Sequence, residues 1–181
     1  MKSHHAARSY AKALHELARE RSQAERIGAE LTEAVELVRT DAELAHFFAR
    51  PGVSATAKRA AADEIAQRLG VGKLVRDFLG LVAGHGRAAM LPEIGEAYRA
   101  LVDADLNRAR ARVRTAVPLT DEERTALAER LGAALGGKRV AIEDVVDQQL
   151  LGGFVAEVGS LIVDGSLDGQ LARLRERLVR G

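Results

Sequence analysis

A chain of 181 residues, 47% apolar and 29% charged, is long enough to bury one sizeable core or two small ones. Its formal net charge of +1 supplies no global field to draw in nucleic acid or an anionic membrane, and the absence of cysteine excludes a disulfide framework, a thiol nucleophile and a thiolate metal site. Aromatic residues are only 3%, with no tryptophan, so any core must be assembled from Ala, Leu and Val.

The N-terminus MKSHHAARSY enters a helical pattern almost at once, which leaves His4 and His5 in a short tail and no room for a signal or transit peptide. No apolar run approaches the ~20 residues of a membrane span. The expectation is a soluble protein that works where it is made.

Ala7, Tyr10, Ala11, Leu14, Leu17 and Ala18 follow the 3.6-residue period of a first helix. Ile27, Leu31, Ala34, Val35 and Val38 mark a second. A short third carries Leu44, Phe47 and Phe48 and stops at Pro51-Gly52. Ser54 can cap a fourth, bearing Ala61, Ile65 and Leu69 and closed by Gly70. The fifth holds Leu74, Val75, Phe78, Leu79 and Val82 and ends at Gly84-His85-Gly86; Pro92 opens a sixth with Ile94, Tyr98, Leu101 and Val102. Six short helices joined by brief polar connections form an all-α bundle.

The period changes after residue 105. Residues 107–119, NRARARVRTAVPL, alternate with period two, the mark of a strand. Thr120 and Glu123 form a capping box for a helix through Leu127 and Leu131. Val140 and Ile142 suggest another strand, and Phe154 to Val163 read as extended chain. Asp164-Gly165 is a turn, after which Ser166 can cap a last helix with Leu167, Leu171, Leu174 and Leu178 on one face. The fold class is therefore mainly α: a six-helix bundle over residues 1–105, then a small α+β domain over 106–181.

Enzyme chemistry finds no foothold. GAALGGKR (Gly132 to Arg139) satisfies G-x-x-x-x-G-K, but Arg139 stands where magnesium needs Ser or Thr, and the segment leaves a helix for a strand instead of the reverse. Helix termination by glycine accounts for it better. The histidines show no i, i+4 pair; His85, between two glycines and just before Arg87, suits a loop or partner contact. Acidic pairs such as Asp63-Glu64 are adjacent in sequence and so do not share a helix face. No catalytic residue, metal site or cofactor is expected. The stripe Arg108, Arg110, Arg112 and Arg114 on one strand face admits two readings, a phosphate or acidic partner or a solvated edge strand whose like charges discourage aggregation. The second is preferred because no stacking aromatics interleave the arginines. Surplus apolar residues beside the main stripes of the first and fifth helices leave open a groove for an amphipathic helix or burial on two sides within the bundle.

Two segments, SYAKALHELARE (Ser9 to Glu20) and LGGFVAEVGSLIVDGSLDGQLARL (Leu151 to Leu174), resemble the two ends of the delta subunits of F-type ATP synthase, the family whose mitochondrial counterpart is the oligomycin-sensitivity-conferring protein. The resemblance spans the chain. It implies a non-catalytic stator component, one copy in a hetero-oligomeric complex, that links the alpha/beta catalytic head to the peripheral stalk of b subunits and resists rotor torque during proton-driven ATP synthesis. The location implied is peripheral, on the cytoplasmic face of the bacterial cell membrane, with no nucleic acid partner and no direct membrane insertion. By the same resemblance the N-terminal helix of an alpha subunit docks between the first and fifth helices, at Ala7, Tyr10, Ala11, Leu14, Ala18, Leu74, Phe78 and Leu81, with Arg87 in the turn that follows. The C-terminal ends of the b subunits meet the second domain, whose shape rests on Gly152, Gly153, Asp164, Gly165, Ser166, Leu171 and Leu174. The chain departs from the family pattern twice: His85 replaces the Asn common in an Asn-Gly-Arg-like turn, and Asp168 stands where a basic residue is common. An unrelated helical adaptor, or an RNA-binding protein using the Arg108–Arg114 stripe, are the rival readings.

Overall fold

The computed structural model describes residues 2–159 and 161–180, and the chain divides into two compact units, Met1–Val102 and Asp103–Gly181. It is mainly helical, with a four-stranded sheet toward the C-terminus.

The first unit contains α1 (Lys2–Glu20), α2 (Ala24–Thr40), α3 (Ala42–Ala49), α4 (Ala55–Arg68), α5 (Lys73–Gly84), a 3-10 turn at Ala88–Met90, and most of α6 (Leu91–Asp105). Local chemistry sets the ends. The Asp41 side chain accepts from the amides of Glu43 and Leu44 to start α3, and the Ser54 hydroxyl accepts from Ala57 N to start α4, each supplying a partner for amides the helix itself cannot satisfy. α5 begins on a residue without a capping side chain, Gly72. Its amide donates instead to Glu30 Oε2, reaching across from α2 at 2.8 Å, which also sets a carboxylate at the positive end of the α5 dipole. His4 and His5, expected in a tail, lie within α1.

The core of this unit draws on all six helices. α1 contributes Ala7, Ala11, Leu14 and Ala18, all buried at the i, i+4, i+7, i+11 spacing of a single helix face. Opposite pack Leu31, Val75, Val82, Ile94 and Tyr98, each worth roughly 1.5–3 kcal/mol of transfer free energy. Small residues on α1 let larger ones from its neighbours fill the space.

The second unit follows β1 (Arg108–Thr115) with α7 (Asp121–Ala134), β2 (Arg139–Val146), β3 (Phe154–Val158), β4 (Leu161–Asp164) and α8 (Leu167–Arg180). The strand order is β2-β1-β3-β4. β1 pairs in parallel with β2 and antiparallel with β3, which turns back into antiparallel β4. The parallel pair needs a crossover, and α7 is that crossover. It starts at the Thr120–Glu123 capping box and ends where Gly136 and Gly137 adopt φ of +76° and +82°; the apparent phosphate loop is this helix stop. The period-two pattern of β1 resolves cleanly. Ala111, Val113 and Thr115 are buried on the face that carries the small core with Leu131 and Ala156, while the arginines take the other face.

Two expectations change here. β1 is an interior strand of the sheet, with β2 and β3 on either side, so the arginine stripe is not on an edge. Residues 154–163 are not one extended run either: Gly159, at φ +59°, breaks them into a tight hairpin in which Val158 faces Leu161. Two residues between strands suffice for such a turn, and a glycine was available to take it.

Candidate functional site

Surface features on both units come from the residues singled out by sequence. In the first, Ala7, Ala11, Leu14, Ala18 and Phe78 are buried in the unit's own core. They shape a surface without forming it. Tyr10 and Leu74 are half-buried, and Leu81 and Leu17 remain 44% and 43% exposed. Leu74, Phe78 and Leu81 stand at i, i+4, i+7 on α5, and Tyr10, Ala13 and Leu17 share one face of α1. The Tyr10 ring meets Phe78 edge-on at 6.2 Å between centroids, so α1 and α5 meet at this pair.

Tyr10 is also the hub of a polar cluster. Arg87 Nη1 donates to its hydroxyl at 2.8 Å, the Arg87 guanidinium lies 5.5 Å from its ring centroid, and His85 Nδ1 is 3.0 Å from the same hydroxyl oxygen. The turn after α5 is thereby tied to α1. Gly84 permits this turn to sit close under α4, because a Cβ there would collide with the Arg59 side chain. In the sequence Tyr10 stands apart from His85 and Arg87, and no local signal joins positions about 75 residues apart.

In the second unit the glycines are where the chain crosses itself. Gly153 has φ +78°, and a Cβ on it would run into the Gly165 carbonyl; one on Gly152 would lie 2.7 Å from Leu167 Cδ1, and one on Gly165 within 2.9 Å of the Phe154 ring. Leu167 N donates to Gly152 O at 3.0 Å and Gly165 N to Phe154 O at 2.9 Å, so the Gly-Gly-Phe and Asp-Gly-Ser segments are backbone partners. Asp164 Oδ1 accepts from the Ser166 hydroxyl at 2.6 Å and its amide at 2.9 Å, which holds the Asp164 carboxyl below its ordinary value. Ser166 Oγ in turn accepts from Gly169 N at 3.0 Å and caps α8. Asp168 accepts from Leu151 N at 3.3 Å, an internal tether in the first turn of α8.

α8 presents a leucine stripe outward: Leu167, Leu171, Leu174 and Leu178 are 46%, 59%, 54% and 76% exposed. Beside α7 lies an open cleft of about 550 Å3 lined by Val117, Leu119, Leu127, Leu131, Phe154 and Val163, with Arg130 and Glu123 among its polar residues. α7 leaves this part of the sheet face uncovered.

Three of the four stripe arginines, Arg108, Arg110 and Arg114, pair with carboxylates within the unit. Asp103, itself buried, accepts from Arg108 Nε at 2.6 Å and Arg110 Nε at 2.7 Å. Arg110 also reaches Glu143 at 3.3 Å, and Arg114 reaches Asp147 at 3.2 Å and Glu157 at 3.8 Å. Arg112 sits in register between Glu143 and Glu157. The hydrogen bond to Asp103, followed by Glu143, raises the Arg110 pKa further. A stripe with three of its four arginines already paired to carboxylates is a poor phosphate track, which counts against the RNA-binding alternative. Asp103 carried no sequence signal, since one acidic residue at a helix end looks like any other. Among the described residues no three His, Asp or Glu side chains converge as a metal site, and no helix is long and apolar enough to cross a membrane.

Comparison with known proteins agrees with this architecture. The family model described as ATP synthase delta (OSCP) subunit matches residues 6–178. ATP synthase subunit delta of Oleidesulfovibrio alaskensis is 35% identical over 178 residues, covering 97% of both chains. The subunit delta of Anaeromyxobacter dehalogenans is 38% identical over 172 residues, covering 95% of this chain and 96% of the relative. A chain in the cryo-EM structure of the Toxoplasma gondii mitochondrial ATP synthase hexamer shares the fold, with a TM-score of 0.69 over 96% of this chain and 97% of that one, at 18% identity. Matches of this extent leave the unrelated-adaptor reading without support. The chain belongs to the ATP synthase delta (OSCP) subunit family.

Proposed function

We propose that this protein is the non-catalytic stator link of an F-type ATP synthase, with its six-helix bundle on the catalytic head and its α+β domain on the peripheral stalk. The observation that carries the reading is the presence of an exposed apolar surface on each of two compact units in a chain that matches the family almost end to end. The paired stripes of α1 and α5, with Tyr10, Leu17, Leu74 and Leu81 at the surface, take the N-terminal helix of an alpha subunit. The cleft beside α7 and the leucine stripe of α8 take the C-terminal ends of the b subunits. The protein sits at the cytoplasmic side of the membrane through the complex and inserts nothing itself.

A tether under torque gains from two grips. When one contact opens the other holds, so rebinding is intramolecular and fast. Each grip needs only a standard interface of about 800 Å2 per side, its affinity set by a few buried anchors. No bond is made or broken in this task, which fits a surface of leucines and internally paired charges.

Calorimetry with a synthetic peptide of the alpha N-terminus tests the head contact. Leu81→Asp and Leu17→Asp change exposed positions and should leave the helical signal intact while weakening binding at least about tenfold. Undiminished affinity in both variants overturns the assignment. Leu14→Asp is the wrong probe, because Leu14 is buried in the core and a carboxylate there unfolds the bundle.

A further inference from the structure

We propose that His85 makes the link between α1 and the end of α5 proton-sensitive, so that acidification loosens the head-binding surface. The inference rests on the head-binding reading above for its consequence, but not for its chemistry.

The chemistry follows from counting protons around the Tyr10 hydroxyl. A guanidinium donates and never accepts, so at the 2.8 Å contact Tyr10 Oη is the acceptor from Arg87 Nη1. The hydroxyl has one proton of its own to give, and His85 Nδ1 stands 3.0 Å away to receive it. In that arrangement the hydroxyl has both a donor and an acceptor, and the imidazole is neutral with its proton on Nε2. Protonation of His85 puts a hydrogen on Nδ1. Nδ1 then has no lone pair to offer, the Tyr10 proton loses its partner, and the same oxygen faces two cationic donors.

Among the described residues, the contacts at the turn bring further positive charge to it. The groups packed around the turn are Tyr10 from α1, Arg59 from α4, which lies against Gly84, and Arg87 in the turn itself. The imidazolium would be a third positive charge in a neighbourhood that already holds two.

The consequence reaches the apolar surface because Tyr10 belongs to both systems. Its hydroxyl end holds the turn, and its ring packs edge-on against Phe78, between the stripes of α1 and α5. His85 is exposed, so protons reach it without any opening of the core. Release of the hydroxyl frees the ring to rotate and blurs one wall of the surface on which a partner helix would lie.

Two measurements on the full chain test this. Long-range proton–nitrogen NMR reads the tautomer of His85, assigned by its loss in His85→Asn, and Tyr10 ring signals are followed over the same titration. The expected result is a proton on Nε2 at neutral pH, with Tyr10 signals moving in step with His85. An Nδ1-protonated neutral form, or Tyr10 signals indifferent to His85, overturns the proposal. Binding of the alpha N-terminal peptide is then compared at about pH 7.5 and about pH 5.5. His85→Asn keeps an acceptor for Tyr10 but does not titrate. Wild type should weaken about fivefold more than His85→Asn, the factor set by one lost hydrogen bond of about 1 kcal/mol; equal pH dependence in the two proteins overturns the proposal. If the peptide binds neither protein at either pH, the head-binding reading fails, and the coupling of Tyr10 to His85 still decides for or against the proton-sensitive link.

Discussion

Tyr98 offers the sharpest test of how the first unit is held together. The residue has no exposed surface. Its ring meets His15 edge-on at 5.8 Å and lies on Gly28, where an added Cβ would come within 3.2 Å of Tyr98 Cε1. Its hydroxyl donates to the Ala24 carbonyl at 2.9 Å. Burial pushes the phenol from 10.0 up to about 12, because a phenolate there would lose its hydration. The sign of the pH dependence follows. The unfolded chain ionises Tyr98 near 10 and the folded chain only near 12, so its contribution is whole below pH 10 and is lost as the pH rises through that interval. Two pK units correspond to at most about 2.7 kcal/mol; at about pH 11, midway between the two values, roughly half of this, about 1–2 kcal/mol, is lost. Tyr98→Phe should lose about 1 kcal/mol at neutral pH through the missing hydrogen bond, roughly 4–8 °C in Tm for a unit of this size. It should then lack the extra alkaline loss shown by wild type. Urea denaturation at about pH 8 and about pH 11 measures both quantities. With two tyrosines and no tryptophan in the chain, tyrosinate absorbance in Tyr10→Phe reads Tyr98 alone. An alkaline loss of equal size in wild type and Tyr98→Phe, or a phenol that titrates near 10 in Tyr10→Phe, would refute the reasoning.

Other positions test the second unit. Gly153→Ala demands a side chain at φ +78° and sets its Cβ against Gly165 O and 3.0 Å from Ser166 Cα, so it should cost about 2–3 kcal/mol, seen as a lower thermal midpoint of this unit. Asp103→Asn weakens the shared acceptor of Arg108 and Arg110 and should cost about 2–3 kcal/mol by urea denaturation; a change below about 0.5 kcal/mol would mean the pairing is structurally idle. Leu171→Glu and Leu174→Glu alter exposed sites and should each shift stability by no more than about 0.5 kcal/mol. Both should weaken binding of a C-terminal fragment of the b chain at least about tenfold in calorimetry, and retained affinity would move the stalk contact off α8.

Where sequence and structure agree, the signal was local. Ser54, the Thr120–Glu123 box and Gly136-Gly137 act on amides and carbonyls within four residues, so their spacing alone carries the information. Where they part, the deciding partner is distant. Arginines at alternate positions on β1 read the same whether the strand lies at an edge or inside a sheet, and only pairing with β2 and β3 brought Glu143, Asp147 and Glu157 alongside. The apolar surplus on α1 and α5 divided in the same way. Phe78 went into the core, and Leu81 on the same face stayed in water, a difference set by which neighbouring helix happens to cover each turn.

By itself, then, the sequence determined the helices and several of their caps, the change of period after residue 105, and the lack of any thiol, because each is written in residue type and short-range spacing. Tertiary structure alone decided that Tyr10, His85 and Arg87 form one cluster, that Asp103 clamps two arginines, and that α8 keeps its leucines outside. Those outcomes depend on which faces meet across tens of residues. Packing selects the meeting from among alternatives that a periodic pattern leaves equally good.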